Sequence, residues 1–239
     1  MSGFRRLFAG EMRRLVSYKI LPVSFATSCL WVILLLFVSR EDALFIAPLL
    51  VFVDITMMLI LLIGASSHLE KQDGTIKSML VMPVSIREIL FSKIAASMVL
   101  GLESAIVMSA ALFIIHGITF NYAALLLFVA IAGLAHAAIG FFLALCSKDF
   151  GSMLGLLMVY LLPFTVPTIL LAFGVIDMKY EWIVMLSPSH SSSNLITAAI
   201  LGSYDVGKAL AACVYLMLLS AALLKFAVYP KFKDNAVRR

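Results

Sequence analysis

The chain has 239 residues, 63% of them hydrophobic and 13% charged, with a formal net charge of +5 and a mean hydropathy of +1.10. Soluble domains carry about 25% charged residues, so this composition excludes an ordinary water-soluble enzyme. The cysteines Cys29, Cys146 and Cys213 stand isolated inside apolar runs, with no CxxC and no even framework for disulfides.

In chain order, residues 2–18 come first. Phe4, Leu7, Phe8, Met12 and Leu15 recur at helical spacing, while Arg5, Arg6, Arg13 and Arg14 take the other side. That pattern predicts an interfacial helix. Residues 20–38 are the first of six apolar runs that reach the roughly 20 residues needed to cross a bilayer. This run exceeds the usual signal-peptide core of about 7–15 residues and ends without a small-x-small site, so it is read as a retained span. A short link at 39–42 leads to the second run, 43–67. The others are 94–116, 122–146, 153–173 and 209–229. Runs this long satisfy their backbone groups in lipid only as helices.

Between the second and third runs lies a polar, punctuated segment, 68–93, which belongs in water and offers a surface for a partner. Glu70, Lys71, Asp73 and Lys77 alternate with Leu69, Ile76, Met79 and Leu80, predicting a short amphipathic helix over 68–82. Pro83 stops it, because proline cannot donate the next backbone bond. Ser85 stands three residues before Glu88, the spacing of a capping box that starts a helix running into the third span. After the fifth span, 174–208 holds two apolar pieces, 182–186 and 195–201, too short to cross. The serine-rich stretch 187–194 between them predicts a turn joining two half-helices that dip into the outer leaflet.

Six spans put both termini on one side. Of the 18 Lys and Arg residues, only Arg40, Lys179 and Lys208 fall on the other, so the termini are expected in the cytoplasm. The positive charge then reflects topology and anionic membrane lipids, not nucleic acid. The expected architecture is an all-α membrane protein of one domain, 1–239, with six transmembrane helices, an N-terminal elbow helix and an outer re-entrant segment.

Few residues suggest chemistry. Gly202–Lys208 fits GxxxxGK, but Ala209 replaces the Ser or Thr that would hold magnesium, so no nucleotide site is expected there. His68, His116, His136 and His190 show no ligand spacing, and no metal is expected. Gly151 and Gly155 form a GxxxG that is expected to permit close helix packing, and Pro163 with Pro167 is expected to bend the fifth span. Asp54 lies midway along the second span and Glu103 a little inside the middle of the third. A charge at the centre of a lipid-facing helix costs about 2.5–3.5 kcal/mol, so both should face protein or a wet cavity. They read either as a polar spot on a substrate path or as carboxyls that stabilise helix packing.

The run Glu70-x-x-x-Gly74-Thr75-Ile76-x-x-x-Leu80-x-x-Pro83-Val84-Ser85-x-x-Glu88-Ile89-Leu90-x-x-Lys93 resembles the signature between the second and third spans of type 2 ABC exporter permeases. The elbow helix, six spans and broken outer segment extend the resemblance over essentially the whole chain, and small drug-export permeases of the fluoroquinolone type look most similar. The resemblance implies a permease that moves a hydrophobic or amphipathic substrate (a drug-like molecule, lipid or peptide) out of the cytoplasm or inner leaflet. ATP and magnesium would sit on a separate cytoplasmic ABC ATPase subunit, expected in two copies. A second six-span permease, identical or homologous, would complete the path in a bacterial or archaeal cell membrane. Glu70, Asp73, Gly74, Thr75, Leu80 and Pro83 would form the coupling contact with the ATPase, and Asp54 with Glu103 the substrate pathway. The rival readings are an ion-coupled secondary carrier and a non-transporting membrane assembly factor.

Overall fold

The computed structural model describes residues 3–75, 84–202 and 205–237, and among these residues every regular element is a helix. Helix α1 (Gly3–Ser17) lies across the start of the bundle and meets α2 (Ile20–Leu35) at 63°. The bend falls at Lys19, whose φ of 62° makes it the one non-glycine in the left-handed region among the described residues. Leu7, Glu11 and Leu15, four residues apart, form the buried line of α1. α2 ends three residues earlier than expected. Its 16 residues span roughly 24 Å, and it reaches the length of a membrane span only together with α1.

Among the described residues, five further helices are long and apolar enough to cross a membrane by themselves: α3 (Arg40–Gln72), α4 (Ile86–His116), α5 (Tyr122–Cys146), α6 (Phe150–Ala172) and α9 (Val206–Asp234). Between α6 and α9 lie the single turn α7 (Glu181–Val184) and α8 (Pro188–Leu201). α3 and α5 form the centre: 67% and 61% of their most apolar windows are buried, against 22% for α9. They cross where a methyl group on Gly140 would sit 3.2 Å from the Ile60 Cα, tighter than most side-chain contacts, so a side chain there would push the two backbones slightly apart. Gly151 and Gly155 do no such work. Both face outward, and a side chain at Gly155 would meet nothing in this chain.

The polar segment differs from expectation in its first part. α3 is 33 residues long, roughly 50 Å, so it outruns a bilayer core of about 30 Å. Residues 68–72 are its last turn and not a separate helix. Nothing between Gly64 and Gly74 interrupts it; Gly74, at φ 64°, then turns the chain, and the Asp73 N–H closes the helix on Leu69 O at 2.9 Å. Leu80 and Pro83 lie outside the described residues. The expected capping box is present: Glu88 N–H donates to Ser85 Oγ at 3.2 Å and Ser85 N–H to Glu88 Oε2 at 2.9 Å. From there α4 runs unbroken for 31 residues.

Among the described residues, π-turns interrupt the spans at Asp54–Met58, Leu161–Thr165 and Leu223–Val228. The second contains Pro163, which cannot donate a backbone bond. There the Ser187 and Thr168 hydroxyls donate to Phe164 O at 2.7 and 3.0 Å.

The serine-rich stretch is not a turn. Ser187 caps α8, with Pro188 at the first helical position, and Ser189, His190, Ser191 and Ser192 are buried among α3, α5 and α9. Hydroxyls that would compete with the backbone in water are here hydrogen-bonded to neighbouring helices and to their own preceding turn. That pairing makes a polar helix tolerable inside an apolar bundle.

Candidate functional site

At the end of the bundle that carries α1, Lys93 of α4 is surrounded by carboxylates. It forms an ion pair with Glu70 of α3, and its Nζ lies 3.2 Å from Glu11 of α1. Arg14 pairs with Glu11 from the preceding side of the cluster. Lys93, Glu70 and Glu11 are each about 5% exposed at the side chain. Burial pushes the Glu11 carboxyl above its ordinary range even with Lys93 beside it. Around the charges, Leu7, Ile89 and Phe232 pack together, bringing in the end of α9. Tyr18 donates to Asp73 at 2.7 Å, and Lys71 donates to Ala144 O at the end of α5 at 2.8 Å. The elbow helix and four spans therefore meet in one cross-tied junction.

This geometry divides the expected coupling residues. Glu70, expected on a water-exposed surface, is buried and neutralised by Lys93, so it shapes the junction from within. Asp73 is exposed, while Gly74 and Thr75 are half-buried beside it. Glu11 escaped the sequence reading, although an acid midway between Leu7 and Leu15 on the apolar line of an arginine-rich helix was a readable signal.

The intramembrane carboxylates sit where α2, α3 and α4 meet. Asp54 opens the π-turn of α3 and is 6% exposed. It accepts from Trp31 Nε1 at 2.8 Å, from Ser28 Oγ at 3.5 Å and from Ser104 Oγ. Glu103, half-buried on α4, accepts from Ser24 Oγ at 2.8 Å through Oε2, whereas its buried Oε1 has no partner. The cleft beside Asp54, bordered by Ser24, Thr27 and Ser104, holds about 10 Å³. That is room for about one water molecule. Both oxygens of Asp54 are thus hydrogen-bonded by side chains of its own protein, and Glu103 keeps one oxygen without a partner.

A second polar network anchors α8. His136 Nδ1–H donates to Ala132 O at 2.9 Å, which leaves Nε2 as an acceptor for the Tyr160 hydroxyl at 3.1 Å. Ser189 lies 2.9 Å from both Tyr160 Oη and Thr165 Oγ1. The chain of bonds ties α5, the π-turn of α6 and α8 together in the bundle interior.

The GxxxxGK stretch is occupied by its own residues. Asp205 Oδ1 accepts the Gly207 and Lys208 N–H groups at 2.8 and 3.3 Å, the donors an incoming phosphate would need. Lys208 reaches Glu181 at 3.2 Å instead.

The family model described as ABC-2 family transporter protein matches residues 41–229, from the first turn of α3 to the last π-turn of α9. No curated protein matches the chain.

Proposed function

We propose that this chain, which belongs to the ABC-2 family of transporter proteins, exports a hydrophobic or amphipathic substrate using ATP hydrolysed on a separate subunit. Membership makes it the membrane-embedded permease component of an ABC transporter, a transport subunit that works with an ABC ATPase. Export, the substrate class and the drug-export subgroup are the proposed part, with a fluoroquinolone as the first compound to try. In this reading two ATPase copies bind ATP and magnesium, and a second six-span permease completes the path in the cell membrane. Both termini face the cytoplasm.

The buried Glu11–Lys93–Glu70 cluster carries the reading. A partner pressing on the segment between α3 and α4 would act on the elbow helix and two long spans as one body, because packed elements move between discrete arrangements and do not deform continuously. Asp73, Gly74 and Thr75, with Leu80 and Pro83 beyond them, would supply the contact. Asp54 and Glu103 would face the substrate pathway, Asp54 by fixing the helices and Glu103 through its open oxygen.

The test is purification of the full chain from its native membranes. A stoichiometric ATPase subunit, with ATP hydrolysis stimulated by a transported drug, is the expected result. Purification without an ATPase, together with transport that follows an ion gradient and ignores ATP, would overturn the proposal.

A further inference from the structure

At the end of the bundle remote from α1, the start of α3, the end of α6 and one flank of α8 enclose a pocket of about 290 Å³, close to the lower bound of ligand sites at roughly 300 Å³. Phe45, Pro48 and Leu171 give it an apolar lining, while Glu181, His190 and Asn194 give it a polar corner. These three polar groups converge. Asn194 Nδ2 lies 3.0 Å from His190 Nε2, and Glu181 Oε1 lies 3.8 Å from the same nitrogen. The His190 side chain is 5% exposed, yet its Nδ1 has no hydrogen-bond partner. An apolar cavity with a few polar groups gathered at one corner has the composition of a small-molecule site.

Charge narrows the ligand. Among the described residues lining the pocket, Glu181 is the sole carboxylate and no Lys or Arg appears. The Lys208 ammonium that pairs with Glu181 stands at the rim, 51% exposed against 19% for Glu181. Lys208 can swing back to water on its flexible stem while the carboxylate stays in place. A cation entering the pocket therefore exchanges one ion pair for another and leaves neither charge bare.

We propose that this pocket binds a small amphiphile bearing a primary ammonium. Its apolar body lies against Phe45, Pro48 and Leu171, its ammonium replaces Lys208 on Glu181, and the His190–Asn194 pair completes the polar corner. The assignment concerns binding by the chain itself and stands apart from the direction of transport and the identity of the ATPase.

The full chain in phosphatidylcholine nanodiscs is titrated with phenylbutylamine and with the neutral match phenylbutanol. Both are expected to bind saturably, the amine tighter by about tenfold, as one charge-assisted hydrogen bond provides. Glu181→Gln keeps the shape and removes the charge, so the two compounds should bind nearly equally while the alcohol is unaffected. Ala172→Trp, on the exposed rim of the pocket, fills the space without entering the core and should abolish both. An amine preference that survives Glu181→Gln, binding that survives Ala172→Trp, or no saturable binding of either compound overturns the assignment.

Discussion

Glu70 and Lys93, 23 residues apart and at the two ends of the polar segment between α3 and α4, form an ion pair inside the protein. The charged residues that bracket the signature thus neutralise each other, and the end of α3 is held against the start of α4. Such a junction suits a contact that must transmit force, since its two ends cannot move independently.

Removing one member of this cluster should cost more than removing the pair. Lys93→Met leaves Glu70 and Glu11 buried beside one remaining cation, Arg14. Breaking a buried ion pair from one side costs about 3–5 kcal/mol, whereas replacing both partners with apolar groups is often neutral. The thermal midpoint of the purified protein should therefore fall sharply in Lys93→Met and recover in Glu70→Met with Lys93→Met. A single variant that melts like the wild type removes the pair from the account of the junction.

Asp73 offers the cleaner probe of the ATPase contact, because it is exposed and, among the described residues, its side chain is held by an exposed hydrogen bond from Tyr18. Asp73→Lys reverses its charge at little cost to the fold. Membrane insertion should be normal, with ATPase docking weakened or substrate-stimulated hydrolysis lost. Reversing Glu70 as well would confuse the result, since that side chain is buried. Wild-type transport by Asp73→Lys would clear this residue of the contact.

The distribution of Lys and Arg makes a separate prediction about sidedness. In a chain freed of Cys29, Cys146 and Cys213, single cysteines at the exposed positions Asp73 and Lys233 should react only from the cytoplasm. One at Lys179, whose side chain is 62% exposed, should react only from outside. Labelling of the Asp73 position in sealed cells by an impermeant reagent inverts the topology.

Much of this fold could be read before any coordinates. The span 122–146 coincides with α5, and Ser85 with Glu88 caps α4, because both follow from local rules, length in one case and a reciprocal hydrogen bond in the other. What escaped depended on pairing across the chain. A serine run reads as a turn when only its own backbone competes for its hydroxyls; Ser189 instead finds Tyr160 and Thr165 on α6. Glu70 reads as a surface charge until Lys93 and Glu11 are known to surround it. The candidate site was legible as residue types, and the division of labour within it was not.

That division is sharpest between Asp54 and Glu103. Asp54 accepts from Trp31, Ser28 and Ser104, so the similarly sized but apolar Asp54→Leu leaves the Trp31 N–H and two serine hydroxyls without their acceptor. It should impair assembly, lowering yield and thermal midpoint before transport can be judged. Glu103 accepts from Ser24 through Oε2 while its Oε1 has no partner, so Glu103→Gln can keep the Ser24 bond through its carbonyl and should fold normally. If the open oxygen meets substrate, that variant should export cationic compounds less well than neutral ones, because the lost attraction acts in a poorly screened interior. Reconstituted transport of matched cationic and neutral drugs, with thermal midpoints for both variants, decides the matter. Equal, wild-type export of both compounds by Glu103→Gln takes Glu103 off the pathway, and a fully stable Asp54→Leu denies Asp54 its part in holding α2, α3 and α4 together.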